Sequence, residues 1–316
     1  KVENMEIKSK KILVTGGAGF IGSHLVNELV RRNYKVIVID NLSSGRKENI
    51  NSKAKFYKID VRNAKRVSKI FKIEKPKIVF HLAAKAIVQD VYKNPSEAIE
   101  VNVMGTVNIL EACRGQNNIE SIVVVSSDKA YGKYKDLPYM ETTPLKGDHP
   151  YDVSKSAADL IAQAYFSTYN LPVVITRFSN VFGPGDLNFS RIIPGAIEAI
   201  IENKELLIRS DGKMIREYTY VKDIVAGCIK LAISRKNFGE AFNFGSKNIF
   251  NVIEVVKNIE KSINVKIDYK VLNIAKNEIP AQYLDWSKAR EKLGWSPKVS
   301  FKDGIRETFN WFKNEL

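Results

Sequence analysis

Runs of apolar residues alternate with amphipathic stretches along the first half of the chain, and this pattern predicts a parallel β-sheet. Each run has the length of a strand buried on both faces, and helical spacing follows most of them. Such strands, joined by right-handed helical crossovers, are typical of a doubly wound α/β fold. The predicted strands are residues 11–15, 35–40, 55–60, 77–83, 121–127 and 171–180, and the predicted helices are residues 20–32, 95–114 and 151–169.

The pattern changes after Asn180. The segment "VFGPGDLNFSRIIPG" is rich in Gly, Pro and Asn, and the elements that follow are shorter and less regular. We therefore expect a first domain over residues 11–180 and a smaller C-terminal domain over residues 181–316. A strand-like stretch at residues 240–246 is expected to return to the first sheet, so that the two domains interleave. Residues 1–10 are expected to be a flexible segment.

The composition is that of a soluble globular protein, because 44% of the 316 residues are apolar and 27% are charged. No apolar run approaches the roughly 18 residues of a membrane-spanning helix, and the sequence starts without a hydrophobic signal region. Cys113 and Cys228 fall in helix-like segments and show no metal-ligand spacing. We therefore expect a cytoplasmic protein with no membrane partner and no metal site.

The formal net charge of +15 is the one unusual bulk property. Clustered basic residues would indicate nucleic-acid binding, because they neutralise backbone phosphates. Here they are scattered along the whole chain, without a basic tract interleaved with aromatic residues. This scattered distribution predicts no nucleic-acid partner. A general positive field would also suit a small polyanionic substrate.

A glycine-rich segment, "VTGGAGFIGSH", follows the first predicted strand and opens the first predicted helix. Gly16, Gly19 and Gly22 would let the backbone approach a pyrophosphate, and the helix N-terminus would supply N–H donors. Asp40 ends the second strand, 18 residues beyond Gly22, where a carboxylate would bind a ribose hydroxyl and repel a 2′-phosphate. The pattern predicts a Rossmann-type site for NAD rather than NADP; the alternative for Asp40 is a solvated turn residue.

Two further strand ends carry candidate residues. Asp60 and Val61, after the third strand, are placed to hold an adenine, although Asp60 could instead cap the helix that begins in "RNAKRV". His81 ends the fourth strand in "FHLAAK" and is expected to pack near the cofactor in a structural role.

Polar residues end the fifth strand and begin the helix at residues 151–169. The stretch "VVVSSDKAYG" closes with Ser126, Ser127, Asp128 and Lys129. In "HPYDVSK", Tyr151 and Lys155 are four residues apart and so project from one helix face. A nearby ammonium and a nicotinamide cation would lower the pKa of a tyrosine and make it a usable base. The two stretches together predict a catalytic set.

With these motifs the chain resembles the extended short-chain dehydrogenase/reductases, in the NAD-dependent epimerase/dehydratase group that acts on nucleotide sugars. The matching stretches are "TGGAGFIG", "DNLSSG", "HLAA", "VNVMGT", "SSDKAYG", "YDVSK", "RFSNVFGPGD", "REYTYVKDI" and "KAREKLGW", which span nearly the whole chain. The resemblance implies an enzyme that binds NAD through residues 11–180 and a nucleotide-diphosphate sugar largely through residues 181–316. The implied cofactor contacts are Gly16, Gly19, Phe20, Ile21, Gly22, Asp40, Asn41, Ser44, Gly45, Asp60, Val61, Leu82, Ala83, Ala84, Lys85, Asn102, Ser126, Tyr151 and Lys155.

The resemblance also implies roles for the catalytic set. Ser127 would hydrogen-bond the sugar 4-oxygen, Tyr151 would remove the proton of that hydroxyl, and Lys155 would hold the nicotinamide ribose. Uncharged residues usually follow this serine in the group's 4-epimerases, whereas an acid pair follows it in its 4,6-dehydratases. Asp128 and Lys129 stand there in this chain, which is similar to the CDP-glucose 4,6-dehydratases and to some dehydratases of UDP-N-acetylglucosamine.

A 4,6-dehydratase removes water across carbons 5 and 6, which needs an acid at the carbon 6 hydroxyl and a base at carbon 5. Asp128 would be the acid and Lys129 the base. The alternatives are a loop-capping carboxylate for Asp128 and, for Lys129, a substrate-phosphate contact or an exposed side chain.

The substrate contacts implied by the resemblance are Lys85, Ser127, Asn180, Arg191 and Arg216. The two arginines have the guanidinium forks that suit phosphate oxygens. Epimerases of this group often carry a second arginine shortly before the "KA..LGW" stretch, but "IPAQYLDW" stands there in this chain. This departure weakens the epimerase interpretation.

Three functions remain open at this point. The first is an NAD-dependent nucleotide-sugar 4,6-dehydratase, the second a 4-epimerase of the same fold, and the third a dinucleotide-sensing protein without turnover. The retained Tyr151/Lys155 pair disfavours the third. By resemblance, helices 95–114 and 151–169 would form a four-helix contact in a homodimer, although each could simply cover the sheet.

Overall fold

A computed structural model of the protein describes residues 10–275 and 278–315. These residues form two compact units. The first contains the chain up to Gly132, Pro144–Arg177 and Val225–Phe242, and the second contains Lys133–Thr143, Phe178–Ile224 and the chain from Asn243 onward. This division differs from the expected boundary at residue 180, because residues 133–143 group with the second unit and residues 225–242 with the first. The flexible segment expected at residues 1–10 lies, apart from Lys10, outside the described residues.

The first unit is built on a seven-stranded sheet with the order β10-β6-β5-β4-β1-β2-β3. β1 pairs in parallel with β2 and β4, and β3 and β5 continue the parallel pairing outward. The predicted doubly wound parallel sheet is confirmed, and the stretch at 240–246 does return to it, as β10. The described strands are β1 (Lys11–Thr15), β2 (Lys35–Asp40), β3 (Lys55–Lys58), β4 (Ile78–His81), β5 (Ser121–Ser127), β6 (Val173–Phe178), β7 (Asn180–Phe182), β8 (Leu206–Ile208), β9 (Ile215–Tyr220), β10 (Ala241–Phe244), β11 (Ile249–Asn251), β12 (Tyr269–Val271) and β13 (Ala281–Gln282).

Helices cover this sheet, and their apolar faces explain why the strands are apolar throughout. Leu13, Ile37, Val79 and Ile122 are buried in one continuous core with residues of the covering helices. The described α-helices are α1 (Phe20–Arg31), α2 (Ala64–Glu74), α3 (Val88–Lys93), α4 (Pro95–Ala98), α5 (Gly105–Arg114), α6 (Pro150–Tyr169), α7 (Ile192–Ile201), α8 (Val221–Ile233), α9 (Val252–Ile263), α10 (Ser287–Leu293) and α11 (Phe301–Glu315). In the described part of the chain, no helix combines the length and the apolarity needed to cross a membrane.

The helix predicted at residues 95–114 is interrupted. A π-helical stretch, Ile99–Met104, separates α4 from α5. Within it the Asn102 side chain accepts a hydrogen bond from Lys85 N at 2.7 Å and donates one to Lys85 O at 3.2 Å. This irregular turn therefore ties the helix to the loop that follows β4, a use that π-helical turns often have near functional sites.

The second unit contains a four-stranded sheet in which β9 lies between β11 and β13 and also pairs with β7. A separate two-stranded sheet is formed by β8 and β12. Glu217, in the middle of β9, is fully buried. Its carboxylate accepts hydrogen bonds from Ser246 N at 2.6 Å and Leu284 N at 3.2 Å. One buried charge thus fastens three separate chain segments, because carboxylate hydrogen bonds from backbone N–H groups are strong in a dry interior.

Candidate active site

In the glycine-rich turn after β1, close contacts leave no room for a side chain at two of the three predicted glycines. Gly16 has φ +71°, and a Cβ on it would lie 2.7 Å from Ala83 N. A Cβ on Gly22 would lie 2.0 Å from Gly16 O, whereas a Cβ on Gly19 would meet nothing nearer than 3.4 Å. Gly16 and Gly22 are therefore required by packing. Gly19 instead leaves an open surface.

This open surface lies where α1 begins. Gly19 is the residue before the helix, and its side-chain-free backbone adjoins the N–H groups of Phe20, Ile21 and Gly22. The first N–H groups of a helix have no acceptor within it and attract anions. Such a turn could accept a pyrophosphate, and the pyrophosphate site stays a prediction.

Asp40 is held at the end of β2. Its Oδ2 accepts from Ala18 N at 3.0 Å and its Oδ1 from Leu42 N at 2.8 Å, and the residue is 8% exposed. These bonds exclude the alternative of a solvated turn residue. The carboxylate keeps lone pairs for a ribose hydroxyl, and its charge would repel a 2′-phosphate. In the segment that follows, Ser44 is exposed and Gly45 packs closely on Ala18.

Asp60 and Asn41 join the ends of β2 and β3. Asn41 Nδ2 donates to Asp60 Oδ2 at 2.9 Å. Hydrogen bonds from the Arg62 side chain, helped by those from Arg62 N and Asn41, lower the pKa of Asp60 to about 2 against the opposing effect of burial. The cap of α2 is Asn63, which accepts from Arg66 N at 3.0 Å, so the alternative that Asp60 caps this helix is wrong. Val61 is buried in the core.

The segment after β4 is ordered by Thr15 at the end of β1. The Thr15 hydroxyl accepts from Leu82 N and from Ala83 N, both at 3.2 Å. Ala84 is half-buried, and the Lys85 ammonium lies 3.1 Å from Glu97. Thr15 was not among the predicted site residues, because a strand-end threonine in the sequence carries no signal of this role.

His81 has a structural role, as the sequence suggested. Its Nδ1 lies 2.7 Å from Thr15 Oγ1 and its Nε2 lies 3.0 Å from Thr106 Oγ1. Because Thr106 donates its own proton to Asn102 O at 2.6 Å, we infer that Nε2–H of His81 is the donor to Thr106. Burial, with the Lys155 charge, lowers the pKa of His81 to about 3. The ring is therefore neutral and serves as a fixed link between β1, β4 and α5.

β5 ends in the predicted catalytic turn. Ser127 caps a short 3₁₀-helix, Asp128–Tyr131, by accepting from Lys129 N at 3.3 Å, and donates to Asp128 Oδ1 at 3.0 Å. The capping role left open for Asp128 thus belongs to Ser127. Asp128 is 4% exposed and Lys129 is half-buried, so Lys129 is not the exposed side chain of the alternative. Ser126 Oγ is buried and has no hydrogen-bond partner among the described residues, which fits its predicted contact with a cofactor.

α6 presents Tyr151 and Lys155 beside this strand. Tyr151 is buried against apolar side chains of α3 and α4. The Lys155 ammonium donates to Val125 O at 2.8 Å, two residues before the end of β5. Burial lowers the pKa of Lys155 to about 8, with the negative charge of Asp159 opposing the shift. The structure therefore brings Lys155 to the same strand end as Ser127, within a dry environment that suits proton transfer.

A buried ion pair braces this arrangement and was missed in the sequence. Arg177 on β6 donates to both Asp159 oxygens, at 2.9 and 3.0 Å, and to the Tyr131 hydroxyl at 2.8 Å. Tyr131 belongs to the 3₁₀-helix after β5, and Asp159 lies one turn beyond Lys155 on α6. The predicted catalytic turn and the helix that carries Tyr151 and Lys155 are thus fixed to the same strand.

The remaining substrate candidates lie in the second unit. Asn180 begins β7 and donates to Glu217 O at 3.3 Å. Arg191 precedes α7 and pairs with Asp186 at 3.1 Å, and Arg216 on β9 pairs with Glu278 at 3.1 Å. Each predicted phosphate-binding arginine therefore has a carboxylate partner of its own within this unit.

The glycine turn, Asp40 and the Tyr151/Lys155 pair on a doubly wound sheet define an extended short-chain dehydrogenase/reductase. The chain belongs to the GDP-mannose 4,6 dehydratase family, whose model matches residues 13–308. The resemblance to epimerases and dehydratases of nucleotide sugars is thereby confirmed.

Individual relatives include both kinds of enzyme. A Methanocaldococcus jannaschii protein provisionally named a UDP-glucose 4-epimerase is 37% identical over 96% of this chain and 98% of its own length. The Thermotoga maritima UDP-glucose 4-epimerase with UDP-glucose has a TM-score of 0.91 at 32% identity and covers 97% of this chain and 99% of its own. The dTDP-glucose 4,6-dehydratase of Bacillus anthracis with NAD has a TM-score of 0.86 at 31% identity, covering 97% of each chain. These likenesses support the enzyme class and do not choose between its two reactions.

Proposed function

We propose that this protein is an NAD-dependent nucleotide-sugar 4,6-dehydratase. The observation that carries the proposal is the turn after β5, where Asp128 is buried, bonded to Ser127 and followed by the half-buried Lys129. A 4-epimerase needs no acid and base at these two positions. Burying an ionisable side chain without a use for it is costly.

The chain's own residues divide the first half of the reaction. Tyr151, with Lys155 one turn away, takes the proton of the sugar 4-hydroxyl, while Ser127 holds the 4-oxygen. The glycine turn and Asp40 would hold NAD, which would supply the acceptor for the carbon 4 hydride and the hydride donor for carbon 6. The pKa of Lys155, which burial lowers to about 8, is useful here, because such an ammonium exchanges protons with a neighbouring phenol more readily than an ordinary lysine does.

The second half is the loss of water. Oxidation at carbon 4 acidifies the carbon 5 proton, which Lys129 takes, and Asp128 gives its proton to the leaving carbon 6 hydroxyl. Asp128 must carry a proton for this role, and a buried carboxyl holds one more readily than an exposed carboxyl. The substrate diphosphate is proposed to displace Asp186 and Glu278 from Arg191 and Arg216.

A 4-epimerase is the second candidate. The similarity to two epimerases favours it, and Ser127, Tyr151 and Lys155 would serve that reaction equally well. An epimerase differs from a dehydratase in two respects. It needs room for the keto sugar to rotate in the site, and its product has the same mass as its substrate.

The deciding experiment is mass spectrometry of products formed from NAD and five substrates in heavy water: CDP-glucose, dTDP-glucose, UDP-glucose, UDP-N-acetylglucosamine and GDP-mannose. We expect one of them to lose water and to gain deuterium at carbon 5. Tyr151→Phe should abolish the reaction and Lys129→Met the loss of water, whereas Lys133→Met, at an exposed lysine of the same segment, should leave activity unchanged. A product that is an isomer of unchanged mass would overturn the dehydratase proposal and support the epimerase.

We also propose a homodimer formed through the helical segments at 95–114 and 150–169. Met104, Val153, Leu160 and Tyr169 on these segments are large apolar residues of which 43–52% is exposed. Packing these side chains against a second copy would remove them from water.

A further inference from the structure

The net positive charge of the chain is concentrated in residues 46–77, which belong to the first unit. Basic residues occur along the whole sequence, but the acidic residues that balance them elsewhere are scarce in this segment. It has 12 Lys and Arg residues against 3 Asp and Glu residues, whereas the rest of the chain has 38 against 32. A tenth of the chain therefore contributes +9 of the net charge of +15.

The three acidic residues of this basic segment leave most of its charge uncompensated. Glu74 is buried and lies within 3.1 Å of two lysine ammonium groups. Asp60 pairs with Arg62 at 2.9 Å, so that Glu48 is the one exposed carboxylate among residues 46–77. Seven exposed basic side chains from residue 53 onward have no ion-pair partner among the described residues: Lys53, Lys58, Lys65, Arg66, Lys69, Lys72 and Lys75.

α2 presents part of this charge as a lysine stripe. The buried side chains of the helix pack in the core beside the sheet. Lys65, Lys69 and Lys72 recur at helical spacing on the opposite side, which is exposed. Beside them Ile73 is a large apolar residue of which 54% is exposed. No exposed side chain of α2 is acidic, so the helix offers solvent a cationic face with one apolar side chain.

The residue types of this surface favour a diffuse anionic partner. Lysine ammonium groups are hydrated point charges on flexible stems, without the guanidinium fork that fits a single phosphate. Protein interfaces are depleted in lysine and enriched in aromatic residues, and single-stranded nucleic acids stack on aromatic side chains. In residues 46–77, all of which the structure describes, no aromatic side chain is exposed. A bilayer with anionic lipids needs no geometric match, because each basic residue near its surface adds to binding separately.

We propose that α2 and the adjoining basic residues dock this protein on a bilayer that contains anionic lipids, with Ile73 among the headgroups. The expectation of no membrane partner rested on the lack of a spanning apolar run, which does not bear on docking at a surface. The apolar face of α2 stays in the core, so the binding is electrostatic and weakens as salt rises. No residue of the lysine stripe is among the predicted cofactor or substrate contacts.

The test is co-sedimentation with vesicles of equal parts phosphatidylglycerol and phosphatidylcholine, and with vesicles of phosphatidylcholine alone. The triple variant Lys65→Gln, Lys69→Gln and Lys72→Gln removes the stripe's charge and keeps residues of similar helix propensity. Each lysine near an anionic surface contributes about fivefold to binding. We therefore expect the stripe variant to bind the anionic vesicles at least tenfold more weakly than the wild type, with the same melting temperature and product formation.

The matched control is Lys257→Gln, Lys261→Gln and Lys270→Gln, which removes three exposed lysines of the second unit. Both triple variants lower the net charge equally, so only a local docking surface distinguishes them. We expect the control to weaken binding less than threefold. Wild-type binding should also be lost when salt is raised from about 0.1 M to about 1 M, because the Debye length falls from about 10 Å to about 3 Å.

Four results would overturn the proposal: no wild-type binding to the anionic vesicles, equal binding to the neutral vesicles, a loss below tenfold in the stripe variant, or an equal loss in the control. Tighter binding of the wild type to a duplex DNA fragment than to the anionic vesicles would overturn it in favour of nucleic acid. The binding is measured without NAD or a nucleotide sugar, so its outcome is independent of which reaction the protein catalyses.

Discussion

Replacing Asp159 with asparagine tests whether the buried ion pair braces the catalytic turn. The Asp159 and Arg177 side chains are 0% and 3% exposed, and the guanidinium also contacts the Tyr131 ring face. Asparagine keeps the shape but leaves the guanidinium without a counter-charge. Breaking a buried pair in this way costs about 3–5 kcal/mol. Because one amide oxygen still accepts a hydrogen bond, we expect about 3 kcal/mol.

The assay is urea unfolding monitored by near-ultraviolet circular dichroism. Glu111→Gln is the matched control, because Glu111 pairs with Arg114 where 41% and 47% of the two side chains are exposed. That surface pair should contribute no more than about 1 kcal/mol. The double variant Asp159→Leu with Arg177→Met should lose less stability than the sum of its two single variants, since it leaves no buried charge unpaired.

A loss of unfolding free energy for Asp159→Asn as small as that for Glu111→Gln would refute the reasoning, because the pair would then not be desolvated in solution.

The Asp159→Asn variant should also change the pH dependence of the reaction. Asp159 raises the pKa of Lys155 against the effect of burial, so its removal should move the pH optimum of oxidation downward.

Two further predictions concern the cofactor turn and the assembly. Gly22→Ala should prevent normal folding, because its Cβ would lie 2.0 Å from Gly16 O, whereas Gly19→Ala, whose Cβ would meet nothing within 3.4 Å, should fold and bind NAD at least tenfold more weakly by calorimetry. Unchanged NAD affinity in Gly19→Ala would contradict the pyrophosphate site. Leu160→Glu, at a residue 52% exposed, should convert a dimer to a monomer in sedimentation at micromolar concentration. A monomeric parent protein would remove the dimer proposal.

The strands were predictable where apolar β-branched residues run without interruption. Strands β1, β2 and β5 begin and end where the sequence pattern puts them, because both ends of each run are marked by charged or polar residues. The helix at 95–114 looked continuous, since nothing in "PSEAIEVNVMGTVN" breaks a helical pattern. Its π-helical turn depends on the bonds of Asn102 to the backbone of Lys85, which are tertiary contacts between residues 17 positions apart. Such contacts override local propensity and leave no trace in periodicity.

On α6 as well, the sequence does not reveal the tertiary contacts of the side chains. Tyr151, Lys155 and Asp159 recur every four residues on α6, and Asp152 and Ser156 do so on the adjoining face. Spacing shows which residues share a face, but it does not show what covers that face. Ser156 donates a hydrogen bond to Ala130 O, so the second face lies on the 3₁₀-helix that follows β5. Asp152 on that face is 4% exposed, and burial raises its pKa while the Lys129 charge opposes the rise. An acid–base assignment for this turn therefore has to count Asp152 together with Asp128 and Lys129.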